Sequence, residues 1–149
     1  MSTASAVLDI KQGLDAAIVT AIASLNTDGR VVIDWGYPKA NADDMVLIMG
    51  ARSQQEWRRT NRTRNEVATV EVHFLTRRST QQEADARAYA FLELVERQCR
   101  VTDPTLGGAV EECVLTATEC NGYTDVDNRA AGRFCELIAT FTTRSAITG

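Results

Sequence analysis

Histidine is almost absent from this chain: His73 stands alone among 149 residues. One imidazole cannot build a multi-histidine metal centre, and it is the sole candidate for an imidazole base. The four cysteines, Cys99, Cys113, Cys120 and Cys135, include no CxxC pair, which removes a common zinc-binding spacing. Each sits in an apolar helix or strand context, so the expected role is a small buried hydrophobe. No run of residues approaches the ~20 apolar positions that a membrane-spanning helix needs. Met1–Ser5 has no basic start and no signal-peptide core, so the expected setting is a cytoplasm, where thiols stay reduced. A P-loop, a GxGxxG after a strand, a GxSxG elbow and an HExxH helix are missing too. No cofactor is implied.

Lysine is scarce as well. Apart from Lys11 and Lys39, all sixteen basic residues are arginine. Arginine pairs with carboxylates at two points and stacks on aromatic rings, which favours protein interfaces, although genome base composition would give the same bias. A net charge of −4 provides no general attraction to nucleic acid or an anionic membrane. With 44% apolar and 24% charged residues, the 149-residue chain reads as one soluble domain. A domain of that length buries roughly two-thirds of its unfolded surface.

The clearest local pattern spans 66–100. Val70, Val72 and Phe74 alternate with Glu71, His73 and Leu75, the period-2 signature of a strand with one apolar face. Arg77-Arg78-Ser79 ends it, and Thr80-Gln81-Gln82-Glu83 reads as a capping box. Ala84, Ala88, Phe91, Leu92, Val95 and Cys99 then recur at steps of three and four, an amphipathic helix. A second helix is expected over 5–25, with Val7, Ile10, Leu14, Ile18, Ala21, Ile22 and Leu25 on its apolar stripe and Gly13 as a mid-helix weakness of roughly 1 kcal/mol. Gly29 is the expected left-handed stop.

Shorter strands are expected at Arg30–Trp35, turned off by Gly36-Tyr37-Pro38, and at Met45–Met49, a run apolar enough to be buried on both faces and closed by Gly50. Between them, 39–44 is a polar loop. Ala109–Cys120 reads as a strand with Cys113, Leu115 and Ala117 on one face and Val114, Thr116 and Thr118 on the other. Arg133–Thr143 closes the set, with 143–149 as a loose tail. Neighbouring strands joined by short loops are expected to pair antiparallel. The fold class is therefore α+β: a two-layer sandwich of a mainly antiparallel sheet of four to five strands, with two amphipathic helices on one face.

Residues 52–64 fit neither period. They hold Arg52, Arg58, Arg59, Arg62 and Arg64, a single acid, Glu56, and Trp57. One reading is a solvated loop. Another is a protruding hairpin arm, with its tip near Thr60-Asn61, that packs on a second subunit, because Trp and Arg dominate binding hot spots. A DNA-contacting loop has only one aromatic and no further basic surface behind it.

Acidic pairs offer little chemistry. Asp43-Asp44 and Glu111-Glu112 are adjacent, so on extended chain their side chains diverge. Asp125 and Asp127, at i and i+2 beside Asn128, could hold a hard cation through oxygens, but turn chemistry accounts for the same residues. No catalytic constellation emerges.

The opening helix, the Trp35-Gly36-Tyr37-Pro38 turn and the strand over 71–76 leading into the 84–99 helix are followed by a long strand, a polar link and a closing strand. That order resembles the tail-terminator (tail-completion) proteins of long-tailed bacteriophages over nearly the whole chain. The resemblance implies a single non-enzymatic virion domain, assembled in the host cytoplasm and placed at the head-proximal end of the tail. There a homohexameric ring would cap the tail tube, stop its polymerisation and face the head–tail connector or neck protein. The implied partners are the chain itself, the tail tube protein and the connector, with no membrane and no sequence-specific nucleic acid. A ring needs two different patches on each subunit. The arm residues Arg52, Trp57, Arg58, Arg59 and Arg62 are one candidate patch, and an acidic surface at Glu111-Glu112 or at Asp125 and Asp127 is the other. Two other readings are another neck or head-closure protein, and a small enzyme or metal-binding regulator that uses His73 and the cysteines.

Overall fold

The computed structural model describes residues 4–38, 42–57, 63–124 and 132–148. They form α1 (Val7–Ala21), a 3-10 turn (Ala23–Leu25), β1 (Val32–Trp35), β2 (Asp44–Trp57) and β3 (Thr63–Arg78), then α2 (Gln81–Arg97), a π-helical turn (Gln98–Thr102), β4 (Glu112–Thr124) and β5 (Arg133–Thr148). The five strands make one sheet in the order β1-β2-β3-β5-β4. One face is covered by α1 over β1 and β2 and by α2 over β3 and β5. This is the two-layer α+β sandwich that the patterning implies.

The alternation at Val70–Leu75 is the middle of a much longer strand. Val70, Val72 and Phe74 are fully buried beneath the helices, opposite Phe141, Ala139 and Leu137 of β5. Phe91 and Val95 of α2, with Ile10, Leu14 and Ile18 of α1, close the core from above. The start of α2 is fixed as its sequence implies: the Thr80 hydroxyl accepts from the Glu83 N–H at 3.2 Å. The return half of the box differs, since the Glu83 carboxylate accepts instead from the Ser79 hydroxyl, also at 3.2 Å. Met45, Leu47 and Leu75 form a smaller cluster on the helix-free face, so the run at 45–49 does bury both of its sides.

Four features depart from the sequence-based expectations. First, β1 pairs with β2 in parallel. The eight residues 36–43 between them are enough to carry the chain back beside the start of β2, roughly 13 Å for four strand residues. The reversal begins at Gly36 (φ 74°), whose N–H donates to the Ile48 carbonyl. Second, 143–148 is not a loose tail, because β5 pairs with β3 along its whole length, as far as Thr148 opposite Thr63.

Third, Gly50 does not end β2. The register slips between Ile48 and Ala51, a bulge that admits one extra residue, and beyond it the side-chain phase is reversed. Ala51, Ser53, Gln55 and Trp57 therefore stand opposite Val70, Ala68, Glu66 and Arg64, on the helix-covered side. Fourth, a bulge between Leu115 and Ala117 does the same to β4. Cys113 and Leu115 face the helices as expected, but after the slip Thr118, Cys120 and Gly122 take that side and Ala117 leaves it.

Gly13 has a positive role that propensity alone misses. A Cβ there would lie 2.8 Å from the Leu106 carbonyl oxygen and 2.9 Å from Leu106 Cβ, so glycine lets the 103–108 loop close onto α1. Gly13→Ala is expected to destabilise by about 1–2 kcal/mol, since overpacking outweighs the gain in helix propensity. Thermal unfolding of the variant measures the balance, and a higher Tm would refute it.

Candidate functional site

Within the described residues, the region read as an arm consists of the far ends of β2 and β3, and a polar network on the helix side holds those ends. Arg64 and Glu66 occupy the same phase of β3 as Ala68 and Val70 and are themselves buried, at 6% and 0% exposure. The Arg64 Nε–H donates to Gln55 Oε1 at 2.7 Å and an Nη2–H to the Ala4 carbonyl at 2.6 Å. The Gln55 amide in turn donates to Glu66 Oε2. Glu66 Oε1 accepts from the Ala6 N–H at 2.9 Å.

Ala6 is the residue just before α1, and it has no side chain with which to cap. The Ser5 hydroxyl accepts from the Val7 N–H at 3.1 Å, and a carboxylate sixty residues away takes the Ala6 N–H, where its negative charge suits the positive end of the helix dipole. The guanidinium of Arg64 also lies over the Trp57 ring, 4.8 Å from its centroid, while Trp57 remains 57% exposed. A large aromatic is therefore fixed from beneath and left open above.

Of the other arm residues, Arg52 is exposed on the opposite, helix-free side. Arg58, Arg59 and Arg62 lie outside the described residues, as do Asp125 and Asp127 of the candidate acidic patch. Glu111 and Glu112 stand at the start of β4, the outermost strand on the far edge of the sheet from β1. Glu112 pairs with Arg144 at 3.5 Å, both of them well exposed. Further exposed aromatics among the described residues are Trp35 at the end of β1, Tyr37 just after it, Tyr89 on α2, and Tyr123, stacked on Phe134 at 5.1 Å.

Asp43 and Asp44 line an open cleft of about 570 Å³ together with Asp28, Arg30 and Arg78. They serve different arginines: Asp43 accepts from Arg77, whereas Asp44 accepts two hydrogen bonds from Arg78, at 2.8 and 2.9 Å, and one from Arg87 at 3.3 Å. Its hydrogen bonds to Asp44 hold the Arg78 guanidinium above its ordinary pKa, partly opposed by burial. These acids are structural cross-links between β2, the end of β3 and α2.

His73 lies on the helix-free face with Nε2 3.4 Å from Glu71 and Nδ1 3.9 Å from Glu136, and Tyr37 meets its ring edge-on. Cys99, Cys113 and Cys135 belong to the helix-side core, so the sheet separates them from this imidazole. That arrangement denies His73 a cysteine nucleophile. The cysteines pair instead with each other. The hydrogen bond that the Cys113 thiol makes to Cys99, then burial, push that thiol well up. Cys120 and Cys135 approach to 3.5 Å between sulfurs, and burial raises Cys135, helped by Cys120 and Asp85.

No family model matches this chain, and no curated protein matches it in sequence. Among solved structures, the chain is similar to one from the virion of a native gene transfer agent (GTA) particle, with a TM-score of 0.53. The match covers 91% of this chain and 94% of the other. The two share a fold. At 14% identity the likeness is one of architecture, running almost end to end through the single sheet and its helices.

The network of Gln55, Arg64 and Glu66 was missed by sequence reasoning, although a signal for it exists. Continuing the Val70–Phe74 alternation backwards puts Ala68, Glu66 and Arg64 on the buried side, and a strand that buries two opposite charges in phase implies that they are bridged. The convergence of Asp85, Cys120 and Cys135 had no such signal, because it depends on the β4 bulge.

Proposed function

We propose that this protein is a non-enzymatic structural component of a phage-like virion, and within it a tail terminator. In this reading it forms a ring, of six subunits, on the head-proximal end of the tail tube, stops tube growth and faces the head–tail connector. The single observation carrying the proposal is the end-to-end fold likeness to a chain of a gene transfer agent virion. The surface chemistry agrees with it: Trp57 is a rigid, exposed anchor on a stem tied into the helix layer.

A closed ring joins two unlike patches of each subunit. We assign one patch to Trp57 with Arg58, Arg59 and Arg62; Arg52, on the opposite face of β2, falls outside it. The other is the acidic side of the neighbour, Glu111-Glu112 at the β4 edge or Asp125 and Asp127. Native mass spectrometry over a concentration series is expected to give a hexamer, alone or on mixing with tube protein. The double variant Trp57→Ala/Arg58→Ala should weaken association roughly thirty-fold or more, since a Trp hot spot contributes about 2 kcal/mol, and leave the monomer folded. Unchanged assembly discards the patch. A ring that binds connector but not tube makes the protein a neck or head-closure subunit instead.

A further inference from the structure

The β4 bulge places a second, unrelated set of groups in register. Cys120 stands opposite Leu137 and Gly122 opposite Cys135, so the two sulfurs lie diagonally on the helix side of the β4–β5 pair. Asp85, in the first turns of α2, comes down onto them, and one ligand atom from each of the three residues lies within 4.8 Å of the others. The sulfurs are 3.5 Å apart. Two thiolates on a tetrahedral zinc ion, each about 2.3 Å from the metal, sit roughly 3.8 Å apart, so little movement is needed. A disulfide would require the sulfurs to close to about 2.05 Å.

We propose that Asp85, Cys120 and Cys135 form a site for one thiophilic divalent cation, zinc being the ion whose ligand set and geometry match. Two sulfurs and one carboxylate oxygen give three protein ligands, with the fourth position open to water. The site is open on one side only: Cys135 is fully buried, Asp85 is half-buried and Cys120 is exposed, which provides an entry path.

The carboxylate is already oriented. Gln81 Nε2 donates to Asp85 Oδ1 at 2.7 Å and to the Phe134 carbonyl at 3.0 Å. Such outer partners set the direction of a ligand and are worth tenfold to a hundredfold in metal affinity, by order of magnitude. Gly122 makes this possible, because a Cβ there would lie 2.6 Å from Gln81 Nε2. Tyr89, one turn further along α2, has its hydroxyl pKa raised by burial and then by the neighbouring Cys120. The ion would fasten the beginning of α2 to β4, which among the described residues is an edge strand paired only with β5. The other cysteine pair, Cys99 and Cys113, is buried within the core.

The test is a cobalt titration of the full chain, stripped of metal and kept reduced. The wild type is expected to take up one equivalent and develop the thiolate-to-cobalt charge-transfer band and the d–d bands of a tetrahedral site, both abolished by zinc. Zinc at a hundredfold excess over its Kd should raise Tm by roughly 5–10 °C. Cys120→Ser, at an exposed position, should fold with unchanged metal-free Tm and lose both the bands and the zinc shift. Cys113→Ala should keep the bands, and Gln81→Ala should weaken cobalt binding roughly 10–100-fold. Absence of the bands from the reduced wild type overturns the proposal, and so does their survival in Cys120→Ser. A wild type that yields only a Cys120–Cys135 disulfide on oxidation, with no bands once reduced, assigns the pair to redox chemistry. None of these outcomes depends on whether the chain forms a ring.

Discussion

Glu66→Ala is expected to destabilise the protein by about 3 kcal/mol, the cost of removing a fully buried carboxylate from a partly buried polar network and leaving its partners unpaired. The loss has three parts that act together. The Ala6 N–H at the head of α1 loses its acceptor, the Gln55 amide loses another, and the buried Arg64 guanidinium loses the carboxylate that sits one residue pair away on the same face. Glu66→Gln separates charge from shape. It retains an oxygen for Ala6 but presents an amide where Gln55 donates, so it should recover only part of the loss. Urea unfolding gives both values as shifts in midpoint at constant slope. A Glu66→Ala protein as stable as wild type would mean that the stem is held by the strand ladder alone. The exposed Trp57 would then lack the rigid support invoked here for its role as an anchor.

Asp44→Ala should cost about 2–3 kcal/mol, by the same reasoning at a site slightly more open to water. Asp44 is 8% exposed and accepts from both Arg78 and Arg87. Without it, Arg78 loses its two-point partner. Arg87 keeps its bond to the Leu25 carbonyl at 3.0 Å and its place over the Phe91 ring. Because the Arg78 pKa is raised, its contribution is fully present below the ordinary arginine value and is lost only at still higher pH, so the arginine side of this cross-link does not vary with pH in any ordinary buffer. Asp44 pairs with Thr76 and Gln55 with Glu66, ten residues apart along β3, a separation of roughly 30 Å. The two substitutions should therefore add within about 0.5 kcal/mol in the double variant. Clear non-additivity would show that the sheet transmits strain from one end to the other.

What was legible in advance follows from periodicity. The Val70–Phe74 alternation, the α2 stripe from Ala84 to Cys99 and the cap at Thr80 are local patterns, and each appears where the sequence puts it. The α1 stripe does too, although the helix proper ends at Ala21 and a 3-10 turn completes the span to Leu25. Burial of Met45–Met49 on both faces also follows from composition alone. The arm was harder, because Gln55, Trp57, Arg64 and Glu66 carry no apolar alternation of their own. Their phase is inherited from β3 and from a slip in β2.

The sequence by itself determined the class of this protein: two amphipathic helices on one face of a sheet of four to five strands, five in the structure, with core residues set by steps of two, three and four. Those choices depend only on how side chains project from a helix or a strand, which nearest neighbours decide. Tertiary structure decided which polar residues meet. The bulges after Ile48 and Leu115 each insert one residue and so exchange the two faces of everything beyond. One exchange brings Gln55 and Trp57 beside Arg64 and Glu66, and the other brings Cys120 beside Cys135 and under Asp85. The parallel placing of β1 and the pairing of β5 as far as Thr148 are likewise settled between strands distant in sequence. A one-residue slip costs little locally, and its position is fixed by which partner strand best buries the residues on either side.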